Sequence, residues 1–296
     1  MTPNVKSHPV HGFPQLDPKP AADELQRFYE SKYYDPLRKS APGTSVGAII
    51  EASAKNESDE DRAWRFETEH VDIAHYLEAL APGRRVVDIG AGIGELVESL
   101  ASRGFDALGI EPSQEASTFA QAAGRKVIAS DLASFWGDSA NHGAFHGVTL
   151  MNVLEHVPDP EATLRQLRDL LMPGGTLMIR SPNDFSPIQA AAVAARGLRK
   201  WWIANPDHIS YFSHATIARL LQAEGFEVKI ATCDFPIDWF LLMGRDYITT
   251  PKLGSECHAM RRTFERSLPA SERRRLYEAL ASAGSGRNLI VYARKT

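Results

Sequence analysis

Val86-Val87-Asp88-Ile89 runs without a break into Gly90-Ala91-Gly92-Ile93-Gly94, and Glu95-Leu96-Val97 then opens a helical pattern. Strand, glycine turn and helix are therefore consecutive. Such a turn lets a ligand approach the backbone, because glycine has no Cβ to block it and tolerates positive φ. The spacing differs from G-x-G-x-x-G, in which a helix N-terminus faces a pyrophosphate. Here the third glycine comes one residue early, and Glu95 stands where that pattern has its last glycine. A carboxylate there repels a pyrophosphate, and it also complements the helix dipole. The next apolar run, Leu108-Gly109-Ile110, ends on Glu111. Its carboxylate offers two acceptor oxygens in one plane, enough for both hydroxyls of an adenosine ribose.

Outward from this loop, short β-like runs alternate with helical patterns, the signature of a parallel sheet with crossover helices. Strands are expected at Arg85–Ile89, Ala107–Ile110, Val127–Ala129, Val148–Met151 and Thr176–Arg180, with helices at Glu95–Ser102, Gln114–Ala123 and Glu161–Leu171. A helical stretch follows Ser181 as far as Trp202. Ser213 then caps a helix that runs to Ala223 and ends at Gly225. Val228–Thr232 and Asn288–Ala293 read as two further strands separated by a long, largely helical insertion. Upstream, Ala63 to Leu80 carries a broad apolar stripe that Ala81-Pro82-Gly83 ends, so it reads as one helix. Met1 to Pro20 has five prolines and little periodicity, and is expected to be a flexible tail. The expected fold is α/β: a doubly wound, Rossmann-like, mainly parallel sheet with an antiparallel last strand and helical lid insertions. The expected division is a tail at 1–20, a helical segment at 21–80 covering the loop, and a core at 81–296 with insertions at 184–212 and 235–287.

Composition narrows the class. A chain of 296 residues that is 43% hydrophobic can bury a sizeable core. A net charge of −4 with interspersed signs and no basic run argues against nucleic acid as a partner. Cys233 and Cys257 have neither disulfide-framework nor zinc spacing. The longest apolar stretch, Ile188 to Ala195, is too short to span a bilayer, and no leader pattern opens the chain. A cytoplasmic location without membrane attachment is expected.

Four segments together resemble the class I S-adenosylmethionine-dependent methyltransferases, over roughly Arg84 to Thr232. Val86 to Gly94 looks like their first motif, and Gly109-Ile110-Glu111-Pro112-Ser113 like their second strand end. Asn152-Val153-Leu154-Glu155-His156-Val157-Pro158-Asp159-Pro160 looks like the segment after the fourth strand. Leu170-Leu171-Met172-Pro173-Gly174-Gly175-Thr176-Leu177 resembles the run into the fifth. The resemblance implies S-adenosyl-L-methionine as cofactor. Its methionine end would lie at Gly90 and Gly92 in a loop that includes Asp88 and Ala91. Ribose contacts fall at Glu111 beside Pro112, adenine contacts around Asp131 and Leu132, and further contacts at Asn152 and Glu155. For Asp131 the competing role is a helix N-cap.

Methyl transfer to a hydroxyl needs alignment and a base for the proton, and histidine titrates closest to neutrality. His156 is a candidate, against a structural role capping the next helix or bonding the backbone. His208 lies in Asn205-Pro206-Asp207-His208-Ile209-Ser210-Tyr211-Phe212-Ser213, which resembles an H-I-S-x-F-[ST] stretch of one bacterial branch; its competing role is anchoring a loop through a backbone carbonyl. Arg196, Arg199, Lys200, Trp201 and Trp202 form either a clamp for an anionic or sugar substrate, or a solvated basic face with tryptophans packed beneath. The aromatic run Phe28-Tyr29-Glu30-Ser31-Lys32-Tyr33-Tyr34 resembles a helix that covers the cofactor in relatives. No metal site is expected. The implied activity is methylation of a small molecule, on the oxygen of a sugar-like or natural-product acceptor, by a chain that is a monomer or a homodimer. N-methylation of an amino sugar or amine, and a non-catalytic cofactor-binding partner subunit, are the alternatives.

Overall fold

The computed structural model describes residues 4–29 and 59–296. The first of these residues do not form the expected flexible tail. β1 (Val5–Ser7) and β2 (Pro14–Leu16) pair antiparallel, with Val5 opposite Leu16 and Ser7 opposite Pro14. Prolines are tolerated because Pro14 begins its strand. Two apolar residues supply the driving force that composition concealed: Phe13 and Leu16 are buried, each worth about 2 kcal/mol when taken from water. α1 (Ala22–Tyr29) follows. The rest of the aromatic run at 28–34, from Glu30 on, lies outside the described residues.

The expected single helix over 63–80 is two helices, α2 (Asp59–Glu67) and α3 (Glu69–Leu80). The break falls at Thr68, whose hydroxyl donates to the Trp64 carbonyl at 2.6 Å and whose backbone leaves helical geometry. Back-bonding by threonine bends helices in this way.

Downstream, alternation proceeds as the pattern requires: β3 (Arg85–Ile89), α4 (Glu95–Ala101), β4 (Asp106–Glu111), α5 (Gln114–Ala122), β5 (Val127–Ala129), α6 (Leu132–Gly137), β6 (Phe145–Met151), α7 (Pro160–Leu170) and β7 (Leu171–Pro182). Then come α8 (Pro187–Arg196), α9 (His214–Ala223), β8 (Phe226–Cys233), the helices α10 (Trp239–Leu242), α11 (Pro251–Ser267) and α12 (Ala270–Ser282), and β9 (Asn288–Lys295). The seven main strands follow the order β5-β4-β3-β6-β7-β9-β8. β3 pairs in parallel with β4 and β6, whereas β8 and β9 are antiparallel, with Val228 opposite Ala293. α8 is shorter than the expected stretch to Trp202 because Gly197 adopts φ 63° and ends it, as a left-handed glycine commonly does.

The chain divides into two compact units. One comprises residues 19–151 and 165–177, and holds β3 to β6; Val86, Val87, Val148 and Leu150 are fully buried in its core. The other comprises residues 1–18, 152–164 and 178–296. It packs Leu16, Trp202 and Tyr211 into one apolar cluster, and Cys233, Phe235, Phe240, Cys257 and Tyr277 into another. Among the described residues, no helix is long and apolar enough to cross a membrane.

Candidate active site

In the first unit the loop after β3 is built as its sequence requires. Gly90, Gly92 and Gly94 have φ of 73°, 54° and 76°. The amides of Gly90 and Ala91 both donate to the Ile110 carbonyl, at 2.9 and 3.0 Å, tying the loop to the end of β4. Gly109 explains why β4 can pass so close: a Cβ there would sit 2.7 Å from the Ala91 side chain. At Gly92, in contrast, an added Cβ would meet nothing within 4 Å, so this face of the loop is open.

Glu111 is held as a preset acceptor. One carboxylate oxygen accepts from the Gly92 amide and the other from the Ser113 amide, each at 2.9 Å. Each oxygen keeps a lone pair for a ligand. Burial raises the Glu111 pKa, and the two amide bonds oppose that rise. Behind the loop, Asp88 is buried and accepts from the Thr149 hydroxyl at 2.6 Å. Its pKa is pushed up to about 7, chiefly by burial. Pro112 sits between Glu111 and Ser113, the residue that caps α5 through the Ala116 amide. Asp131 performs the competing role: its carboxylate accepts from the Ser134 amide at 2.7 Å and caps α6, which Leu132 begins. Glu95 is no free repulsive charge, since Arg65 lies 2.8 Å away and Arg62 3.4 Å away. Its charge is thus largely compensated and repels a pyrophosphate little, whereas the glycine spacing departs from the dinucleotide pattern irrespective of it.

The second unit holds the other expected residues. Asn152 follows β6 with φ 54°, a left-handed conformation that asparagine tolerates better than most residues. Its amide donates to the Arg180 carbonyl at 2.8 Å, and its side-chain oxygen accepts from the Arg180 guanidinium. Glu155 is buried. Ser181 donates to one of its oxygens at 3.0 Å, while the other, Oε1, makes no hydrogen bond. Its backbone carbonyl accepts from the amides of Ile209 and Ser210, which draws the His208 segment onto the loop after β6. His156 and His208 are brought together, their rings edge to face at 5.0 Å.

The two histidines differ in environment. His156 Nδ1 lies 2.8 Å from the Asp207 carbonyl and 3.2 Å from its carboxylate, and Nε2 lies 3.8 Å from Glu155 Oε1. Burial disfavours its charge, but the Asp207 hydrogen bond and the Glu155 charge outweigh burial and raise its pKa. His208 Nδ1 has no hydrogen-bond partner and faces Asp184 at 3.9 Å. Burial, then the His156 charge, lowers its pKa. The two rings are in contact and titrate as a pair, in which His156 is the more readily protonated member and His208 the less. The backbone role considered for His156 is therefore present, and ring anchoring through Nδ1 at His208 is not.

The sequence spacing offers no second set of ligands near the fourth strand. The fold supplies one, because one ligand atom each from Glu155, His156 and His208 lies within 4.8 Å of the others. Two imidazoles and a carboxylate form a donor set able to hold a divalent cation. A second histidine group, His8, His11 and Glu161, is similarly close. There the His8 Nδ1 accepts from the Val10 and His11 amides, so its Nε2 carries the proton that points at Glu161, 3.1 Å away, and has no lone pair to offer a metal. No spacing in the sequence marks either group, since His208 is 52 positions from His156 and Glu161 is 150 from His11.

With this geometry in place, comparison with known proteins defines the class. Residues 58–229 match the profile of a methyltransferase-domain family. Among solved structures, a S-adenosylmethionine-dependent methyltransferase from Archaeoglobus fulgidus superposes with a TM-score of 0.53 at 17% identity, covering 83% of this chain and 99% of that one. Magnesium protoporphyrin IX methyltransferase from Synechocystis, with S-adenosylhomocysteine bound, gives 0.51 at 15% identity, over 93% and 100%. The chain belongs to the methyltransferase-domain family: it is a class I methyltransferase, and S-adenosylmethionine is its cofactor. A curated relative, the ubiquinone biosynthesis O-methyltransferase of Aromatoleum aromaticum, is 32% identical over 151 residues. The match spans 49% of this chain and 64% of that protein, less than two thirds of its length.

Proposed function

We propose that this chain transfers a methyl group to a hydroxyl oxygen of a small acceptor, and that His208 removes the hydroxyl proton. One observation carries the reading: His208 keeps an unbonded Nδ1 and packs edge to face on His156, whose charged form Asp207 and Glu155 favour. The name of the curated relative supports oxygen as the methylated atom.

When bound, the cofactor supplies an electrophilic methyl on a sulfonium, so the protein's task is to align, desolvate and deprotonate. Glu111, preset by the Gly92 and Ser113 amides, holds the ribose hydroxyls, and the open face at Gly92 admits the ligand. Asp131 caps α6 through one oxygen and leaves the other for adenine contacts, with Leu132 beside it. Asn152 orders the loop after β6 through Arg180, and Glu155 sets the His208 segment by its backbone carbonyl. His208 takes the proton as the acceptor oxygen forms its bond to carbon. In the family's chemistry, loss of a positive sulfonium is balanced by that proton on the imidazole.

Calorimetry with S-adenosylmethionine, S-adenosylhomocysteine and NAD on wild type and Glu111→Ala tests the cofactor half; micromolar binding of the first two, lost in the variant, is expected. Transfer of label from the cofactor to panels of phenols, sugars and amines tests the acceptor half. Labelled ethers support the reading, labelled amines favour N-methylation, and cofactor binding without any transfer favours a non-catalytic partner. A second reading rests on the unbonded Glu155 Oε1: a divalent cation on Glu155, His156 and His208 would lower the acceptor's pKa and replace His208 as the activating group. Activity abolished by chelation and restored by magnesium or zinc selects it.

A further inference from the structure

A cavity of about 420 Å³ lies entirely within the second unit, lined by Val5, Ser7, Pro14, Phe185, Lys200 and Ile203, together with Lys6. It falls in the size range of small-molecule sites. Its wall is apolar on the side of Val5, Pro14, Phe185 and Ile203, and cationic at the two lysines. Lys6 is neutralised by an ion pair with Asp17. Lys200 has no carboxylate partner among the described residues; its ammonium stands 5.3 Å from the centre of the Phe185 ring. No acidic side chain lines the cavity.

Phe185 is conformationally costly. It adopts φ 59°, a region that bulky residues rarely occupy and that costs of order 1–2 kcal/mol. The residues on either side hold it there. Asp184 Oδ1 accepts from Gln189 at 3.0 Å and from Arg287 at 2.8 Å, and Ser186 caps α8 in a reciprocal capping box. Residues held in such conformations persist where their surroundings over-determine them, and they cluster at ligand sites. The ring also packs edge to face on Trp202 and Tyr211, each at 5.5 Å, and Tyr211 lies 6.3 Å from His208. Asp184, the neighbour of Phe185, is the carboxylate that faces His208. The cavity wall is therefore joined to the proposed base by one peptide bond and by one intervening ring.

An apolar slot with one unpaired cation and no acid fits a ring or short hydrocarbon bearing a carboxylate or similar anion. We infer that this cavity binds a small molecule with an apolar body and an anionic group, with Lys200 selecting the negative charge. The inference goes beyond the proposed function and stands on the cavity's own lining.

The test is fluorescence titration of the full chain with 6-hydroxy-2-naphthoate and with its neutral carboxamide. Wild type is expected to bind the carboxylate about five- to tenfold more tightly than the amide, as for one charge-assisted contact. Lys200→Met should bring the two within about twofold, Lys200→Arg should restore the preference, and Phe185→Leu should weaken both probes alike. Equal affinity in wild type, a preference that survives Lys200→Met, or no binding of either probe below about 1 mM would overturn the inference. S-adenosylmethionine titrated in parallel reads the methyltransferase assignment separately, so loss of one result leaves the other standing.

Discussion

Asp88→Asn should stabilise the protein by about 3 kcal/mol more at pH 8 than at pH 5. Asp88 is buried, and its pKa rises from 3.8 to about 7. An acid whose folded pKa is raised contributes stability that is complete below its unfolded pKa and is lost as pH rises through the folded value. The window is therefore pH 3.8 to about 7, and the full loss amounts to about 4 kcal/mol at 1.36 kcal/mol per unit. Most of that falls above pH 5, about 3 kcal/mol. Asparagine keeps an oxygen able to accept from Thr149 and never ionises, so the variant escapes the loss. Urea unfolding of wild type and variant at pH 5, 6, 7 and 8, followed by circular dichroism, reads Asp88 together with its coupling to Glu111, because the titrating groups that do not interact with Asp88 cancel in the difference. A stability difference that does not grow with pH, or that favours wild type more at pH 8 than at pH 5, would falsify the assignment of a buried, largely protonated Asp88.

Gly92→Ala places a methyl in open space at φ 54°, so its stability cost should be only about 1 kcal/mol of backbone strain, whereas cofactor affinity measured by calorimetry should fall about tenfold or more. Unchanged affinity would mean that the cofactor does not use that space. His208→Ala should lower kcat by about 10²-fold or more with the cofactor Kd unaltered. In wild type the base is active when neutral and its pKa is lowered, so kcat should be flat near pH 7 and fall only on acidification below 6.5. A variant retaining full kcat, or a wild-type rate lost only above pH 7, would remove His208 from the mechanism.

The glycine loop, the alternation around it and Glu111 were legible in the linear chain because they are local. A strand, a turn and a helix in immediate succession leave few ways to arrange Gly90, Gly92 and the acid one strand later, and the strand positions followed from runs of three to six residues. The helix break at Thr68 and the hairpin at Val5–Leu16 were not legible. The first depends on a single hydroxyl turning back on the Trp64 carbonyl, and the second on where Phe13 and Leu16 find partners, which composition does not encode. The chemistry that distinguishes His208 from His156 also belongs to tertiary structure alone. A pKa direction is set by burial and by neighbours in space, and those neighbours, Asp184 and Asp207 with Glu155, converge only when the chain returns through residues 204–212 onto the loop after β6. Lys200 was visible as one of a basic group, but its lack of an acidic partner, and the strained ring beneath it, are facts of packing. The sequence by itself thus determined the glycine loop and Glu111, where backbone conformation is dictated by glycine; the tertiary structure decided the cluster of Glu155, His156 and His208, where side chains remote in sequence must meet.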